Sequence, residues 1–582
     1  MTIALVKLIE KLDDAGEPVT AIVHDSVFPW VLDVAKKFGL LKVVFFTQTC
    51  AVNSIYYHVN RGLLPLPLSK SDDVSIPGLL QASDTPSFIH DMESTAPVKD
   101  PKTWIPFPNC LLFIFSLHYF VFEMENKSSC KSHPHVLVLP YPAQGHINPM
   151  LQFAKRLVSK GIKATLVTTI YLSKSILVDP ECSIAVETIS NGFDDMENRH
   201  PKSPEEFLVS FRTVGSQTLL MLMKKLEDIG QPVTVLVYDA LFPWALDVAK
   251  QFGVLKVVFF TQTCAVNNIY YHVNKGLLRL PISGSDHVSI PGLPLLRASE
   301  TPSFVYESES TPPAVHDFIM NQFSNVDEAD WLLFNTFYKL EEKVVDWMAK
   351  IWKLGTVGPT LPSMYLDKRL EDDRDYGINL YKPNTSASMT WLNEKPSGSV
   401  VYASYGSVTD IRPEQIQELA WGLKASKCHF LWVVRDSEEK KLPNKFKEET
   451  SDQGLVVSWC SQLEVLAHKS IGCFVTHCGL NSVFEALSLG VAMVAVPYWA
   501  DQPTNAKYVE DVCGTGIRAL PDEKGIVRRQ AVEECIKEVM GGEKGKKIKE
   551  NAKKWKILAR EAIDEGGSSD KDINEFVAKL LQ

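Results

Sequence analysis

Two polar residues follow apolar runs and together have the chemistry of an acid–base pair. His146 lies in PAQGHINP, a glycine-flanked loop between the run HVLVLP (135–140) and the helix predicted over MLQFAKRLVSKG (150–161). Asp239 ends the run TVLVYD (234–239). Parallel strands present their carboxyl ends at one edge of a sheet, so these two side chains are expected to meet there. A carboxylate that accepts the imidazole Nδ1–H fixes the tautomer and stabilises the imidazolium, which makes the histidine a general base. Each residue alone also has a purely structural interpretation, as a loop cap or a strand-end cap.

A second polar group surrounds a turn near the carboxyl end of the chain. The segment GCFVTHCGLNSVFEALSLG predicts a strand, a tight turn at Cys478 and Gly479, and a helix from about Asn481 that Gly490 closes. A glycine turn before a helix gathers free backbone N–H groups and the positive end of the helix dipole, which suits a diphosphate. His477, Asn481 and Ser482 lie around that turn, although Asn481 alone is also interpretable as a simple N-cap.

Two further residues near this turn suit the rest of a nucleotide. Glu485 lies one helical turn further on, where a carboxylate can accept hydrogen bonds from ribose hydroxyls. Trp459 ends the preceding strand and can stack on a base, with a place in the core as its alternative.

The elements that must position these residues alternate between short β-branched runs and longer helical patterns. One such series spans about 131–350 and a second about 397–560, with a segment rich in proline, glycine and charge between them. This alternation predicts two doubly wound parallel sheets whose strand ends face a shared cleft. Neither GxGxxG nor GxxxxGK[ST] occurs, which argues against a nucleotide-dependent oxidoreductase and against a P-loop protein.

An internal repeat precedes the complete unit. Residues 19–78 and 233–292 are identical at 46 of 60 positions without a gap. The first copy lacks the opening strand and would leave an open sheet edge, so we interpret it as a partial tandem duplicate ahead of a complete protein that starts near Met124. The alternatives are an accessory or dimerising element and a gene-joining error. Asp25 is the copy of Asp239, but His146 has no counterpart, so no second active site is expected.

Composition limits the class of protein. The 582 residues include 60 basic and 70 acidic side chains, for a net charge of −10, which argues against a nucleic-acid partner. Eleven scattered cysteines without a CxxC pair indicate reduced thiols in a cytoplasmic protein without a zinc site. The apolar segment CLLFIFSLHYFVF (110–122) is shorter than the roughly 20 residues of a membrane span, so stable membrane insertion is not expected.

The stretch from Trp459 to Gln502 resembles the nucleotide-sugar signature box of the plant secondary-product UDP-glycosyltransferases (family 1), which begins with Trp, contains HCGWNS and a Glu, and ends with Asp-Gln or Asp-His. PAQGHINP is similar to the catalytic loop of that family, and Asp239 falls where its partner aspartate lies. The blocks GPTLPSMYLDKRLEDD and WLNEKPSGSVVYASYGS most resemble the branch that glucosylates small carboxylic acids, phenols and thiohydroximates.

The resemblance implies an α/β fold of the GT-B type, with two Rossmann-like domains facing across a cleft. The implied divisions are a partial duplicate (1–123), an acceptor-binding domain (124–355), a linker (356–396), a UDP-sugar-binding domain (397–565) and a final helix (566–582) that returns to the acceptor domain.

The resemblance also assigns a role to each candidate residue. It implies that Trp459 stacks on uracil, that the Cys460 backbone and Gln462 bind its edge, and that Glu485 holds the ribose. The implied diphosphate ligands are Ser407, His477, Asn481 and Ser482, with His477 and the helix start supplying positive charge. Asp501 and the terminal Gln502, a residue associated in the family with glucose, would hold the sugar hydroxyls.

The reaction implied is inverting glucose transfer from UDP-glucose, with His146 as base and Asp239 as its partner, and with neither a metal nor a further cofactor. The expected acceptor is a hydroxyl, carboxyl or thiol of a small lipophilic metabolite, and the expected state is a monomer.

Two positions depart from the family pattern. Leu480 replaces the Trp of HCGWNS, and Val483 stands where Thr or Ser is usual. If the missing ring only packs, its loss costs about 1–3 kcal/mol. These departures and the repeat motivate an alternative interpretation. In it, the chain is the catalytically impaired product of a partially duplicated glycosyltransferase gene, and the protein binds UDP weakly.

Overall fold

The computed structural model describes residues 134–174, 177–178, 184–195, 200–283, 286–379, 385–407 and 410–582, together with short pieces at 9, 21–25, 34, 36–38 and 41–45. The chain divides into two compact units, residues 1–130 and 131–582. Most of the proposed duplicate, including the apolar segment 110–122, therefore lies outside the described residues.

Two strands of the first unit are described. Ala21–Asp25 and Leu41–Phe45 pair in parallel, with Ala21 opposite Leu41. Their counterparts 214 residues later, Val235–Asp239 and Leu255–Phe260, pair in the corresponding register. The repeated sequence thus takes the same strand pairing at both places.

The central strands of the first sheet of the second unit are runs of β-branched, aliphatic and aromatic residues buried on both faces, as expected for parallel strands covered by helices, whereas the edge strand Ala185–Ile189 is partly exposed. It has seven strands, all parallel. From one edge to the other they are Leu354–Thr356, Trp331–Phe334, Leu255–Phe260, Val235–Asp239, His135–Leu139, Lys163–Thr169 and Ala185–Ile189.

The second sheet has six parallel strands of the same character. In spatial order they are Gly454–Val457, His429–Val433, Val400–Ser404, Ile471–Thr476, Met493–Ala495 and Gly516–Arg518. The predicted alternation of parallel strands and helices is confirmed in both series.

Helices cover both faces of each sheet. Those associated with the first sheet are Gln144–Ser159, Ile170–Ser173, Pro204–Asp228, Trp244–Phe252, Cys264–Asn274, Ser303–Tyr306, Pro313–Met320 and Tyr338–Met348. Those that follow are Thr385–Asn393, Pro413–Ala425, Asp436–Glu439, Phe446–Glu449, Gln462–Ala467, Leu480–Leu489, Gln502–Lys507, Arg529–Gly541, Glu543–Ile563 and Ser568–Leu580. In the described part of the chain, no helix has both the length and the apolar character that crossing a membrane requires.

The last helix, Ser568–Leu580, packs against the first sheet rather than the second. Phe576 contacts Phe153 and lies edge-on to Trp331, with ring centroids 5.9 and 5.5 Å away. The Asp572 carboxylate accepts hydrogen bonds from the backbone N–H and the hydroxyl of Thr356, at 2.7 and 3.0 Å. These contacts tie the end of the chain to an edge strand of the first sheet.

One expected boundary is wrong. The apolar periodicity from Met150 onwards predicted a helix with His146 in the loop before it, but the helix begins at Gln144. Gly145 lies in the first turn of this helix, and Pro149 lies inside it, where its missing N–H removes one backbone hydrogen bond. His146 therefore sits on a helix, which fixes its backbone more firmly than a loop would.

Candidate active site

A large cavity of about 570 Å³ lies between the carboxyl ends of the two sheets. All twelve candidate residues line it: His146, Asp239, Ser407, Trp459, Cys460, Gln462, His477, Asn481, Ser482, Glu485, Asp501 and Gln502. In the first sheet the strand order reverses between two neighbouring strands, the one that His146 follows and the one that Asp239 ends. In the second sheet it reverses between the two that Ser407 and His477 follow. Open parallel sheets bind ligands at such points.

His146 and Asp239 meet as the strand topology requires. The His146 Nδ1 is 2.6 Å from the Asp239 Oδ2, and the Thr261 hydroxyl lies 3.1 Å from the same nitrogen. Backbone N–H groups of Tyr141 and Leu241 donate to the two Asp239 oxygens at 3.2 and 3.1 Å. The buried carboxylate is thus held on both oxygens, and the imidazole leaves its Nε2 for chemistry in the cavity.

Electrostatics sets the protonation of His146. Burial lowers its pKa, but the charge of Asp239, the hydrogen bond to Asp239 and the charge of Asp501 together raise it above the ordinary 6.5. The imidazolium formed when His146 takes a proton is therefore stabilised in place.

The start of the His146 helix (Gln144–Ser159) is bonded to the opposite half of the cavity. Pro149 has no N–H, so the carbonyl of Gly145 lacks its usual partner four residues later. The side-chain amide of Asn481 donates to this carbonyl at 3.1 Å. The residue before His146 is therefore tied to the turn on the second sheet.

That turn has the predicted form. Cys478 adopts a positive φ of 64°, Gly479 is the N-cap, and the donor helix (Leu480–Leu489) ends at Gly490 with φ 74°. Asn481 is the second residue of this helix, so its interpretation as an N-cap is wrong. The N-cap and the first residues of the helix line the cavity, and the start of a helix with free backbone N–H groups suits an anion.

His477 lies beside this turn, between two glycines. A Cβ placed on Gly406 or on Gly479 would come within 2.8 or 2.5 Å of the His477 Nε2, so neither position accepts a side chain without a shift. Burial lowers the His477 pKa to about 4, against an opposing hydrogen bond with the Ser404 backbone. Burial therefore favours the neutral imidazole, which offers a hydrogen-bonding group to the cavity, and the expectation that His477 supplies positive charge stays a prediction.

Glu485 is the centre of a buried hydrogen-bond network. Its carboxylate accepts from the Gln462 amide at 2.5 Å and from the Tyr376 hydroxyl at 2.7 Å. Gln462 also donates to the Ser482 hydroxyl at 2.9 Å, and its oxygen accepts from Tyr402 at 3.1 Å. Burial raises the Glu485 pKa to about 7, and the two hydrogen bonds only partly oppose that rise.

The remaining residues of the nucleotide half surround this network. Trp459 is half-buried and borders the cavity two residues after its strand, so it is not simply a core side chain. Cys460 is buried with its sulfur 3.8 Å from the Tyr402 hydroxyl. The Ser407 carbonyl accepts from Arg435 at 2.8 Å, which fixes that loop beside the helix start.

Asp501 and Gln502 follow the strand Met493–Ala495 and face the cavity. The Gln502 Oε1 accepts from the backbone N–H groups of Tyr498 and Trp499, at 2.9 and 3.0 Å, which leaves its amide nitrogen to donate. Asn505 donates to Asp501 at 2.6 Å. Both side chains are therefore oriented by their own turn.

Sequence reasoning missed three residues of the site. Tyr141 stacks obliquely near His146, with ring centroids 5.3 Å apart, and burial raises its pKa to about 12. Thr261 directly follows a strand adjacent to that of Asp239, a position that could have revealed it. Tyr376 lies in the segment assigned to a linker, where no periodic pattern indicates a contact with Glu485.

The two departures from the family pattern occupy different surroundings. Leu480 is 7% exposed and lines the cavity. Val483 is buried in the core behind the donor helix and is not among the lining residues. Only Leu480 therefore bears directly on what the cavity binds.

The other half of the cavity is mainly apolar. Its wall includes Phe207, Leu241, Phe304, Val315, Phe318 and Ile319. Among the described lining residues, Arg374 is the one Lys or Arg side chain. The seven described cysteines, which include Cys460 and Cys478, form no disulfide.

Comparison with known proteins gives consistent matches. A family profile described as "UDP-glucoronosyl and UDP-glucosyl transferase" matches residues 323–560. Mogroside I-E synthase of Siraitia grosvenorii is 48% identical over 455 residues, which cover 78% of this chain and 99% of that protein. UDP-glycosyltransferase 74E2 of Arabidopsis thaliana is 48% identical and covers 76% of this chain and 98% of its own length.

Solved structures agree. Os79 of O. sativa, crystallised with UDP, superposes with a TM-score of 0.72 at 42% identity and covers 76% of this chain and 100% of its own. UGT2 of Phytolacca americana, in complex with UDP-2fluoro-glucose and pterostilbene, gives a TM-score of 0.65 at 25% identity, covering 77% and 100%. The sheets described above are thus those of the GT-B fold.

Proposed function

Because this chain belongs to the plant family 1 UDP-glycosyltransferases, enzymes that use a UDP-sugar as donor, we propose that it transfers glucose from UDP-glucose to a small lipophilic metabolite with inversion at the anomeric carbon. The accepting group is a hydroxyl, carboxyl or thiol. The observation that carries this proposal is the 2.6 Å contact between His146 and Asp239 at the edge of the cavity that also contains the donor helix.

His146 is the proposed general base. Its Nδ1 is held by Asp239, so its Nε2 takes the proton from the acceptor as the acceptor oxygen bonds to the anomeric carbon. The bond from that carbon to the diphosphate oxygen breaks on the opposite face, and UDP leaves with the electron pair. The proximity of Asp239 and Asp501 stabilises the imidazolium that results.

The donor half has the groups that the leaving diphosphate needs. We assign the diphosphate to the N-terminus of the donor helix with Ser407, His477, Asn481 and Ser482, whose N–H and O–H donors and helix dipole are fixed before reaction. His477 contributes as a neutral donor because its pKa is about 4.

The remaining donor contacts follow from position. We assign uracil to Trp459, Cys460 and Gln462, the ribose to Glu485, and the glucose hydroxyls to Asp501 and Gln502. The carboxylate of Glu485 lines the cavity and is held in place by hydrogen bonds from Gln462 and Tyr376, and its remaining lone pairs can accept from ribose hydroxyls.

The acceptor half favours an uncharged, apolar partner. Its wall is built from aromatic and aliphatic side chains around His146. A base assists an acceptor that must lose a proton, so a hydroxyl gains more from His146 than an already ionised carboxylate does. One relative is named a mogroside I-E synthase and another a flavonol 7-O-beta-glucosyltransferase, and the second name is in keeping with a hydroxyl acceptor.

The alternative, an impaired enzyme, receives no support from the relatives, because the chain spans almost their whole length and they are named as synthases and glycosyltransferases. The predicted monomer and the cytoplasmic location remain proposals. The unpaired state of the described cysteines accords with a reducing compartment.

An acceptor screen with UDP-glucose tests the proposal. Purified full-length protein is expected to release UDP in the presence of a phenolic or terpenoid alcohol and to form a β-glucoside, which NMR identifies from the coupling of the anomeric proton. Retention of the α configuration, or release of UDP only without a glucoside, would show that the proposed displacement is wrong.

A further inference from the structure

The turn that carries Asp501 and Gln502 is held in an unfavourable backbone conformation. Ala500, the residue directly before Asp501, has a φ of 56°. Residues with a Cβ seldom adopt this left-handed region without contacts that hold them there. We call residues 498–502 the Ala500 turn.

The contacts that hold the turn come from the other domain. The Ser303 backbone N–H donates to the Ala500 carbonyl at 2.8 Å, and the Ala500 N–H donates to the Ser303 hydroxyl at 2.7 Å. Both polar groups of Ala500 are therefore bonded to one residue across the cleft. Ser303 is 9% exposed, so water competes little for these bonds.

A buried carboxylate anchors the segment that presents Ser303. Glu300, which is 3% exposed, accepts from the Arg297 N–H at 2.8 Å and from Arg518 at 2.7 Å, and it lies 3.1 Å from the Lys507 ammonium. The Glu300 carbonyl accepts from the Thr504 hydroxyl at 2.8 Å. The two cations and Thr504 belong to the second sheet's domain, so the Ser303 segment cannot shift without breaking a buried ion network.

An aromatic contact continues the same interface into the acceptor half. Phe304, next to Ser303, lies edge-on to Trp499 with ring centroids 5.8 Å apart, and both side chains line the cavity. The segment 300–304 therefore touches the acceptor wall and the sugar end of the donor site at once.

We propose that Ser303 is a positioning residue for the donor sugar: its two hydrogen bonds fix the left-handed Ala500 turn and thereby the direction in which Asp501 and Gln502 face the glucose. This inference rests on the proposed function, because it takes Asp501 and Gln502 as the sugar ligands. The two hydrogen bonds from Ser303 reach only the Ala500 turn. Trp459 and Glu485, in the nucleotide half of the cavity, lie on other elements.

The position of the turn determines which part of the donor is affected. Gln502 is oriented by the backbone N–H groups of Tyr498 and Trp499, which belong to the same turn. If the turn relaxes, the amide of Gln502 moves with it, whereas the uracil and ribose ligands remain. Loss of Ser303 should therefore weaken binding of UDP-glucose and leave binding of UDP unchanged.

The test compares four forms of the full-length protein: wild type, Ser303→Ala, Gln502→Ala and the control Ser310→Ala. Ser310 is exposed, its hydroxyl bonds only to the Glu307 carbonyl, and it does not line the cavity. Calorimetry measures the Kd of UDP and of UDP-glucose for each form, and initial rates give kcat/KM with UDP-glucose and with UDP-galactose.

Ser303→Ala is expected to raise the Kd of UDP-glucose about three- to tenfold, the loss of one buried hydrogen bond, and to lower the preference for UDP-glucose over UDP-galactose. The Kd of UDP should stay within about twofold of wild type, and Ser310→Ala should match wild type throughout. Equal weakening of both ligands, or no weakening of either, would overturn the role of Ser303.

The Gln502→Ala protein separates this proposal from the one on which it rests. If Gln502→Ala loses UDP-glucose affinity and Ser303→Ala does not, the assignment of Gln502 to the sugar is supported and the positioning role of Ser303 is refuted. If Gln502→Ala binds UDP-glucose as wild type does, or if wild type binds neither ligand, the donor assignment fails and the inference fails with it.

Discussion

Replacement of His146 by alanine is the most direct perturbation of the proposed mechanism. A positioned general base contributes about 10²–10⁴ in rate, which corresponds to about 2.7–5.4 kcal/mol of barrier. The upper part of this range applies where the base is oriented, and the 2.6 Å bond to a buried carboxylate with both oxygens occupied provides that orientation in His146. We therefore expect His146→Ala to lower kcat/KM on an aliphatic alcohol about 10³-fold or more.

The size of the loss should depend on the acidity of the acceptor. A nitrophenol is largely ionised near neutral pH and a carboxylate fully so, so the loss on these acceptors should be much smaller than on the alcohol. The assay is the initial rate of UDP release over a series of substituted phenols and alcohols, with the Kd of UDP-glucose measured by calorimetry in parallel.

A matched control is available in the same domain. The His316 side chain is 23% exposed against 22% for His146, and it too lies beside an aspartate, Asp317, but it does not line the cavity. His316→Ala should retain the wild-type rate on every acceptor. An equal loss on alcohol and nitrophenol in His146→Ala, or a rise in the UDP-glucose Kd as large as the loss of rate, would refute the base assignment.

Three further predictions concern the groups around this base and the donor. In wild type, kcat/KM on an alcohol should rise with pH through a midpoint above 6.5, because Asp239 raises the pKa of the base and only the neutral imidazole accepts a proton. In Asp239→Asn, burial is opposed only by the charge of Asp501, so a pH–rate profile should show a lower midpoint and a lower plateau. The Glu485 pKa of about 7 predicts that the Kd of UDP-glucose tightens as pH rises through 7, since only the carboxylate accepts two ribose hydroxyls; Glu485→Gln should flatten that dependence and weaken binding about three- to tenfold by calorimetry. Leu480→Trp should restore the ring of the family pattern and tighten UDP-glucose binding about two- to tenfold, whereas an unchanged Kd together with a lower Tm would mean that the ring only overpacks the site.

The sequence allowed much of the donor half to be predicted because its residues are consecutive or lie on one strand–turn–helix unit. The left-handed Gly490 is a local consequence of a glycine C-cap and follows from residue type, whereas the positive φ in the turn lies at Cys478 rather than at Gly479, which residue type does not predict. The meeting of His146 with Asp239 also followed, since both lie at the carboxyl ends of parallel strands that prove to be neighbours.

The parts that escaped prediction depend on tertiary contacts. Tyr376 reaches Glu485 from a segment without periodicity, and nothing local to it signals that partner. The long helix Pro204–Asp228 has a weak amphipathic pattern because only one narrow stripe of it is buried. The low pKa of His477 likewise arises from burial between Gly406 and Gly479, which a linear motif does not reveal.

Pro149 connects the error in the predicted helix boundary to the function of the site. His146 was expected in a loop before the helix, yet Pro149 lies inside the helix, and its missing N–H releases the Gly145 carbonyl there. That carbonyl accepts from Asn481, the second residue of the donor helix, at 3.1 Å. The base and the proposed diphosphate site are thereby joined through a single hydrogen bond next to His146. The bonds between Ser303 and Ala500 make a second such connection, next to the proposed sugar ligands. We therefore expect the interface between the domains, rather than either sheet alone, to set the distance between the proposed base and the anomeric carbon.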